Sequence, residues 1–358
     1  MPNATILYVG NSSARSTSAH RINALRRLGH TVVEIDPYKE FAKNLNARLL
    51  GPIHFRTGYA LLQTKVAKWL HLVLDAARLK PDFIWVDSGE LIGPKCVRVL
   101  QAKNCPIVLY NVDDPTGKRD GRRFDSLIKA IPFYDLIVVV RSETEKECEA
   151  LGAKRVIRVY RSYDEIAHKP YSPVSDIPEE FKSDVAFIGT WMRYEKRDEF
   201  LLDLISNGIS VSIWGDRWQK SPHFSTLKSH WRGPGLSGRD YVAAMQGAKI
   251  CLGLLSKGNR DLHTQRSLEV PFAGGLFCAE RTSEHQEMYK EGVEAVFWSD
   301  SRECAQQCKK LVGDNALRES IRQAGMQRVR SLQVGNEDVC KAILNTLFET
   351  VNPSLVNR

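Results

Sequence analysis

Residues 250–279, ICLGLLSKGNRDLHTQRSLEVPFAGGLFCA, place a polar, glycine-containing loop between two strongly apolar runs. The runs Ile250–Leu254 and Leu276–Ala279 have the length and composition of buried β-strands. The loop between them passes into a short helical pattern that ends at Gly274 and Gly275. A strand, a helix and a further strand in this order predict parallel strands joined by a crossover helix.

The same alternation of apolar runs and helical patterns continues along the whole chain. The first series of predicted strands comprises Thr5–Val9, Thr31–Ile35, Phe83–Val86, Ile107–Tyr110 and Leu136–Val140. The second comprises Val185–Ile188, Val211–Trp214, Ile250–Leu254, Leu276–Ala279 and Ala295–Trp298. A length of 358 residues exceeds what one core usually covers. We therefore predict an α/β fold of two Rossmann-like, doubly wound domains that face each other across a cleft, with ligands at the carboxyl ends of the strands.

The domain boundaries follow from a break after Tyr160, where the chain carries three prolines and no clear period. We predict an N-terminal domain over residues 1–165, a linker over 166–183 and a C-terminal domain over 184–335. The last segment, residues 336–358, begins with an amphipathic helical pattern. This helix either crosses back onto the first domain or packs on the second.

Composition excludes several classes of protein. No run of eighteen apolar residues occurs, so we predict no membrane-spanning helix. The N-terminal residues MPNATILYVGNSS are predicted to form a first strand rather than a signal peptide. The net charge of +9 is spread along the chain, which is typical of a solvated surface and less often of a surface that attracts anionic ligands or lipid headgroups. No nucleic-acid recognition motif is present, so we predict no nucleic-acid partner.

The eight cysteines lack a CxxC pair, which predicts reduced thiols in a cytoplasmic protein. Cys304 and Cys308 would share one helix face, but no second ligand pair accompanies them. We therefore predict ordinary helix packing at these two positions rather than a zinc site. The positive charge leaves open a peripheral position at the inner face of the membrane.

The polar loop and the helix after it combine acids with bases. Asp261 and Glu269 lie eight residues apart. The cations around them are Lys257, Arg260 and Arg266. Carboxylates accept hydrogen bonds from sugar hydroxyls, whereas guanidinium groups and a helix N-terminus hold phosphate oxygens. Because a nucleotide sugar carries both kinds of group, the segment predicts binding of this class of ligand.

Several motifs give the chain a wider likeness. The C-terminal half contains FIGTWMRYEKR at 187–197, IWGDRW at 213–218, YVAAMQGAKICLGLL at 241–255, and RDLHTQRSLEVPFAGG at 260–275 followed by EHQEMYKEGVEAVFW. The N-terminal half contains ILYVGNSS, LRRLGHTVVEID, VLYNVDDP and YDLIVVVRSETEKECEALGAK. In pattern, order and spacing these motifs resemble the glycosyltransferase group 1 family, in its branch of spore maturation protein CgeB-like glycosyltransferases. The resemblance implies the GT-B fold, with the acceptor on the N-terminal domain and the nucleotide-sugar donor on the C-terminal domain.

The resemblance assigns the acids of the polar loop and helix to the donor. In related enzymes the second acid of an E-x7-E pattern binds the ribose hydroxyls, and Glu269 holds that position here. The first acid falls on Asp261, one methylene shorter than the usual glutamate, and would contact the transferred sugar. Arg266 would neutralise the diphosphate leaving group, with Lys257 and Arg260 in the same role. A plain solvated turn is the alternative for these three cations.

Further donor contacts are predicted where other strands end. The nucleotide-binding set also includes Gly10, Asn11, Gly189, Thr190, Arg197, Gly215, Gly274 and Gly275. Glycine allows a ligand to approach the backbone closely. Arg197 holds the position of an arginine common in this branch, with surface solvation as the alternative. Trp218 and Tyr241 either stack on the base or belong to the core.

The acceptor side is predicted around NVDDP, where many relatives place a histidine or an acid beside the reacting sugar. Asp113 and Asp114 would orient the acceptor or assist its deprotonation, and Arg266 and Asp261 complete the predicted catalytic set. The alternative is a turn in which the aspartates cap backbone N–H groups. Asp87–Glu90 is a further candidate. Asp113-Asp114 is not a DxD motif, so we expect no required metal and no cofactor.

These assignments predict a hexosyl- or related glycosyltransferase that moves a sugar from a nucleoside diphosphate sugar, expected to be a UDP-sugar, to an acceptor hydroxyl. Retention of configuration is implied by the resemblance. The acceptor stays open among a glycan, a lipid-linked glycan, a protein and a small molecule. Two alternatives are a sugar-nucleotide epimerase on the same fold and a non-catalytic protein that binds a nucleotide sugar.

Overall fold

The computed structural model describes residues 3–76 and 78–351. The chain divides into two compact units. The first contains the residues up to Tyr160 together with the helix that begins at Asn336, and the second spans Arg161–Gly335. The segment predicted as a linker is therefore part of the second unit.

The first unit is built on a six-stranded parallel sheet in the order β2-β1-β3-β4-β5-β6. Its strands are β1 (Thr5–Val9), β2 (Thr31–Ile35), β3 (Phe83–Asp87), β4 (Ile107–Tyr110), β5 (Leu136–Val139) and β6 (Val156–Arg158). Its helices are α1 (Thr17–Arg27), α2 (Pro37–Glu40), α3 (Ala42–Leu45), α4 (Leu50–Arg56), α5 (Gln63–Ala76), α6 (Pro94–Gln101), α7 (Asp125–Ile128), α8 (Ser142–Ala150) and, from the end of the chain, α16 (Asn336–Val351).

Helices cover both faces of this sheet. On one face, Ile22 and Leu25 of α1 share a buried cluster with Ile343 and Leu347 of α16. On the other face, helices α5 and α6 form a second cluster with β1, β3 and β4. The last helix therefore packs on the first unit, which the amphipathic pattern alone could not decide. Residues 352–358 of the predicted terminal segment lie outside the described residues.

The second unit is built on another six-stranded parallel sheet, in the order β12-β11-β10-β7-β8-β9. Its strands are β7 (Ser183–Ile188), β8 (Val211–Trp214), β9 (Trp231–Gly233), β10 (Ala248–Gly253), β11 (Phe277–Glu280) and β12 (Val296–Trp298). Its helices are α9 (Arg197–Ser206), α10 (Phe224–Leu227), α11 (Gly238–Gly247), α12 (Arg266–Phe272), α13 (Ser283–Met288), α14 (Ser301–Gly313) and α15 (Asn315–Ser331).

The helices of the second unit also lie on both faces of their sheet. Leu201 and Leu204 of α9 share a buried cluster with Cys304 and Cys308 of α14 and with the sheet. Helices α11 and α12 contact β7 and β10 on the opposite face. Helix α12 has seven residues and includes Pro271, whose ring cannot donate the helical hydrogen bond. The helix is therefore short, as its sequence predicts.

The sheets confirm the predicted doubly wound α/β architecture. All ten predicted strands are present within two residues of their predicted limits. Sequence reasoning missed the edge strands β6 and β9, because three residues are too few to display a period. Within residues 3–76 and 78–351, no helix combines the length and the apolar character needed to cross a bilayer.

Candidate functional site

Strand order identifies where a ligand site is expected in the second unit. From β7 the chain proceeds to β8 and β9 on one side, whereas β10, β11 and β12 lie on the other side. The loops after β7 and β10 therefore diverge at the carboxyl edge of the sheet, which is where doubly wound proteins bind ligands. The loop after β10 is the polar loop that the sequence singled out.

Glu195 lies on the loop after β7 and forms hydrogen bonds with the loop after β10. Its carboxylate accepts hydrogen bonds from the Ser256 hydroxyl at 3.0 Å and from the backbone N–H groups of Lys257 at 2.9 Å and Gly258 at 3.3 Å. Sequence reasoning did not single out Glu195, because a glutamate in a loop carries no spacing signal. Its contacts fix the start of the polar loop.

Glu269 lies on α12 and is 5 % exposed. Its Oε2 atom accepts a hydrogen bond from the Tyr241 hydroxyl at 2.6 Å. Its Oε1 atom lies 3.6 Å from Nε2 of His168. His168 accepts a hydrogen bond at Nδ1 from the Asp164 backbone N–H, so in the neutral ring Nε2 carries the proton and faces the carboxylate. The carboxylate thus keeps lone pairs for a hydroxylated ligand.

Tyr241 supports Glu269 and does not lie in the core as an inert ring. Burial, followed by the negative charge of Glu269, raises the pKa of the Tyr241 phenol well above its usual value. The positive charge of Arg266 opposes this shift. The phenol therefore stays protonated and donates to the carboxylate.

Arg266 is the first residue of α12 and is half-buried. Within the part of the chain that the structure describes, its guanidinium makes no hydrogen bond or ion pair, and its Nε atom is buried without a partner. The hydroxyl of Thr264, two residues earlier, is also buried and without a partner among the described residues. Since buried polar groups nearly always have partners, these two groups fit an anionic ligand.

Asp261 belongs to a buried network. Its carboxylate pairs with the Arg161 guanidinium at 3.3 Å, and the Arg161 backbone N–H donates to Nε2 of His263 at 3.0 Å. Because Nε2 accepts, the proton of the neutral ring lies on Nδ1 and is donated to Glu284. Burial lowers the pKa of His263. Asp261 therefore shapes the polar loop through these contacts, whatever else it binds.

Arg197 joins the same two loops by a second route. Its guanidinium donates to the carbonyls of Thr190 at 2.8 Å and Leu255 at 3.1 Å, and the residue is 8 % exposed. Surface solvation is therefore excluded. Arg197 and Lys257 line a cavity of about 290 Å³ at this edge of the sheet. The Lys257 ammonium lies 3.1 Å from the Glu280 carboxylate.

Four predicted glycines have structural reasons of their own. A Cβ on Gly215 would lie 2.0 Å from the Gly189 carbonyl oxygen, so these loops need glycine to pack together. The same carbonyl accepts from the buried Trp218 indole at 2.9 Å, which makes Trp218 a core residue. Gly274 and Gly275 end α12, and Gly274 has φ +80°. The two follow the last residue of α12, at the end opposite Arg266, and this position gives both a role in ending the helix.

A network of hydrogen bonds connects the start of α12 to the end of β11. The Ser267 hydroxyl bonds to Nε2 of His285 at 2.8 Å, and Nδ1 of His285 bonds to the Glu280 carbonyl at 2.7 Å. Because a carbonyl can only accept, Nδ1 carries the proton and Nε2 accepts from Ser267. Burial lowers the pKa of His285 to about 4. The ring is therefore neutral and fixes the second residue of the helix that carries Glu269.

The first unit has its own divergence point, between β1 and β3. Gly10 follows β1, and a Cβ at this position would lie 2.9 Å from Cβ of Asp87 at the end of β3. The Asp87 carboxylate accepts from Tyr8 at 2.6 Å and from Arg21 at 2.7 and 2.9 Å. The Asn11 side chain accepts from the Ser13 N–H within its own turn. Asp87 is therefore a buried structural acid beneath the predicted glycine loop.

The two aspartates of NVDDP differ in environment. Asp114 is 5 % exposed and accepts from the Gly117 backbone N–H at 3.1 Å, which is the turn-capping role. Asp113 is half-buried, and its carbonyl accepts from Arg141 at 2.8 Å. After burial, the charge of Asp113 is among the causes that raise the pKa of Glu90. Of the two, Asp114 has the turn-capping role, and Asp113 stays the predicted acceptor-side acid.

Glu90 adds a carboxylate that the sequence marked only as a further candidate. Burial raises its pKa, against the opposing effect of Arg123, which donates to it at 2.6 Å. Glu90, Tyr59 and Arg56 line an open cavity of about 720 Å³ beside α4. A carboxyl group with a raised pKa beside a cavity is typical of functional sites.

Three cysteines come together in the second unit. The Sγ atoms of Cys278, Cys304 and Cys308 lie within 4.8 Å of one another, and all three residues are buried. The sequence indicated only the helical pair, because Cys278 lies on β11. The donor set is thiols alone within one hydrophobic cluster. All eight cysteines are free, as predicted.

Sequence reasoning missed His168, Arg161, His263 and Glu284. Each contacts a residue far away along the chain, and none follows a recognisable spacing. Their contacts in the folded chain reveal them: His168 contacts Glu269, Arg161 contacts Asp261 and His263, and Glu284 contacts His263.

Part of the sequence is similar to a known protein family. Residues 195–339 match the model of a family described as glycosyl transferase-like. No protein with a curated description matches the sequence.

Solved structures match nearly the whole chain. The crystal structure of Anabaena Alr3699/HepE in complex with UDP-glucose has a TM-score of 0.67 and 15% identity, over 97% of this chain and 100% of that one. Sucrose-phosphate synthase from Thermosynechococcus elongatus has a TM-score of 0.66 and 13% identity, over 96% and 99%. A putative UDP-N-acetylglucosamine 2-epimerase from Listeria monocytogenes has a TM-score of 0.58 and 11% identity, over 99% and 98%.

Identities this low show the fold alone. The match at residues 195–339 covers the loop after β10, α12 and the supporting network behind it. The chain therefore has the GT-B fold of glycosyltransferases, and its residues 195–339 are similar to the family described as glycosyl transferase-like.

Proposed function

We propose that this protein is a glycosyltransferase that transfers a sugar, most simply a hexose, from a UDP-sugar to an acceptor hydroxyl. The observation that carries the proposal is the presence of Arg266 and Glu269 three residues apart on the short helix α12. Arg266 is a half-buried cation without an anionic partner among the described residues, and Glu269 is a buried carboxylate supported by Tyr241. A nucleoside diphosphate sugar supplies both the phosphates and the ribose hydroxyls that these groups would take.

Glu269 binds the ribose in this proposal. Tyr241 occupies one side of Oε2, and Oε1 faces His168 at a distance longer than a hydrogen bond. The remaining lone pairs accept from the two ribose hydroxyls. The likeness to proteins of the same fold that were solved with UDP and with UDP-glucose supports this class of donor.

Arg266 stabilises the leaving group. As the bond between C1 of the sugar and the phosphate oxygen breaks, negative charge grows on the diphosphate, and a fixed guanidinium lowers the energy of that state. Lys257 and Arg260 add positive charge from the same loop. No metal is needed for this role, and we propose a metal-independent reaction.

Asp113 orients the acceptor hydroxyl, with Glu90 beside it. The acceptor oxygen bonds to C1, and its proton passes to the departing diphosphate oxygen on the same face, which retains the anomeric configuration. Retention by this route is what the resemblance to the CgeB-like branch implies.

The test measures binding and turnover separately. Thermal shift and calorimetry with UDP and UDP-sugars are compared with GDP-, dTDP- and CMP-sugars, since a ligand at about one hundred times its Kd stabilises a protein by roughly 2.7 kcal/mol. Glu269→Ala is expected to lose the shift, because each hydrogen bond to a charged group contributes about 1.5–3 kcal/mol. Asp113→Ala is expected to keep the shift and lose turnover. Glu287→Gln, on an exposed part of α13, is the matched control.

Tyr241→Phe distinguishes the contribution of the Tyr241 hydrogen bond from that of the Glu269 carboxylate itself. It removes the hydrogen bond to Glu269 and leaves the carboxylate, so UDP affinity should fall by less than in Glu269→Ala. Full UDP affinity in Glu269→Ala would refute the ribose assignment. An isomerised donor without transfer would show an epimerase, and nucleotide binding without turnover under every acceptor condition would show a non-catalytic protein.

A further inference from the structure

An uninterrupted basic stretch lies in the first unit between β2 and β3. Residues 41–74 contain five lysines and arginines and no aspartate or glutamate. The stretch includes α3, α4 and most of α5. In a chain with 42 acids among 358 residues, a gap of this length concentrates positive charge on one part of the surface.

Helix α4 is inverted with respect to a normal surface helix. Its buried positions are Gly51 and His54, whereas Leu50 and Ile53 are 50% and 44% exposed. Leu49, which precedes the helix, is 79% exposed. A surface helix normally buries its apolar stripe and exposes its polar residues. The apolar side chains of α4 are therefore available to a partner outside the unit.

Exposed apolar and basic side chains also occur together just before and along α5. Leu61 and Leu72 are 62% and 69% exposed, and Lys65 and Lys68 between them are also exposed. The spacing of four, three and four residues puts these side chains on one helical face where α5 is regular. On this face two leucines flank two lysines, and no acid lies among them.

A second loop adds cations beside α4. The Arg123 guanidinium lies 5.4 Å from the ring centroid of Phe55, which is itself partly exposed on α4. Ser126 donates to the Gly58 carbonyl directly after α4. On the loop that leads to Arg123, Lys118 and Arg122 are exposed. Acids partly offset this charge, since Arg122 pairs with Asp125 at 2.7 Å and Arg123 pairs with Asp120 at 3.0 Å and with Glu90 at 2.6 Å.

We propose that this surface, α4 with the exposed face of α5, docks on the anionic surface of a phospholipid bilayer. Leucine and isoleucine side chains enter the boundary of the acyl chains, and the lysines and arginines meet the lipid phosphates. Charge complementarity selects this occupant. A second copy of the chain in a symmetric dimer would set the same cations against each other, which opposes association.

The inference goes beyond the proposed function, and its test uses no activity. The full chain is floated with vesicles of phosphatidylcholine containing about one third phosphatidylglycerol, and with vesicles of phosphatidylcholine alone. The expected result is at least about tenfold stronger partitioning to the anionic vesicles, reduced by raising salt from about 0.1 M to about 0.5 M.

The variant Leu49→Ser with Ile53→Ser removes the apolar contribution at two exposed positions. It is expected to lower partitioning at least about tenfold, because transfer of apolar surface from water contributes to binding. The matched control is Ile166→Ser with Val293→Ser, whose side chains are 61% and 44% exposed on the second unit. This control should bind vesicles as the unchanged protein does.

Circular dichroism and thermal unfolding establish that both double variants fold. Equal binding to neutral and anionic vesicles, or no vesicle binding at all, would overturn the proposal. Unchanged vesicle binding by Leu49→Ser with Ile53→Ser would also overturn the proposal, since the apolar side chains would then make no contribution to binding. Light scattering that finds a dimer of the unchanged protein and a monomer of this variant would assign the surface to self-association instead.

Discussion

Replacing Asp87 by asparagine tests the buried ion pair at the end of β3. The Asp87 carboxylate holds the Arg21 guanidinium through two hydrogen bonds, at 2.7 and 2.9 Å, and accepts a third from Tyr8 at 2.6 Å. The side chains of Arg21 and Asp87 are 3% and 4% exposed. Asp87→Asn keeps the size of the side chain and leaves the arginine as a buried charge without compensation.

The expected cost is about 3–5 kcal/mol in the free energy of unfolding, the range for removing one partner of a buried ion pair. Tyr8→Phe removes the hydrogen bond to the charged carboxylate, together with longer contacts to Ser18 at 3.3 Å, and should cost about 1.5–3 kcal/mol. Combining Asp87→Asn with Arg21→Met removes the stranded charge, so this double variant should be more stable than Asp87→Asn alone.

Urea unfolding monitored by circular dichroism gives these energies. Because the chain has two compact units, hydrogen exchange at the amides of β1 and β3 assigns the loss to the first unit. A stability of Asp87→Asn within about 1 kcal/mol of the unchanged protein would refute the reasoning. A double variant less stable than Asp87→Asn would also contradict it.

Two further predictions concern the second unit and the thiols. Burial lowers the pKa of His285 to about 4 from 6.5, so the folded state binds its proton less well than the unfolded chain does, and the stability present above pH 6.5 is lost as the pH falls toward 4. Lowering the pH from about 7.5 to about 5.5 should cost about 1 kcal/mol more in the unchanged protein than in His285→Gln, measured by urea unfolding at both pH values; an equal loss in both would contradict it. A thiol reagent should modify Cys105 first in the native protein, because it alone of the eight cysteines is not fully buried, and slowly, because burial raises its pKa to about 11. Mass spectrometry after partial labelling identifies the modified residue, and early labelling of Cys308 would show that the three-thiol cluster opens in the native state.

The strands and their parallel arrangement could be predicted from the sequence, because a buried strand requires a run of apolar residues that is visible locally. The partner of the last helix could not. Val339 and Ile343 mark a face that must be covered, but an apolar stripe fits any apolar surface. The structure packs this face against α1.

The same difference applies to the candidate site. Glu269 and Arg266 were predicted to bind the donor because both lie in one short segment, in which Glu269 stands eight residues after Asp261. Tyr241 and His168 were not assigned to them, because they reach Glu269 through the fold. Gly274 and Gly275 stay predicted nucleotide contacts, since a glycine needed for a helix end and one needed for a ligand look alike in a single sequence.

The position of α16 affects the order in which the chain can fold during synthesis. The first unit needs a helix that starts at Asn336, so the ribosome must make all of Arg161–Gly335 before that helix exists. Until then the apolar side chains of Ile22 and Leu25 lack part of their cover, and they are exposed to chaperones and to aggregation. The second unit, which is continuous in sequence, can be complete while the unit that precedes it on the chain is still waiting for its last piece.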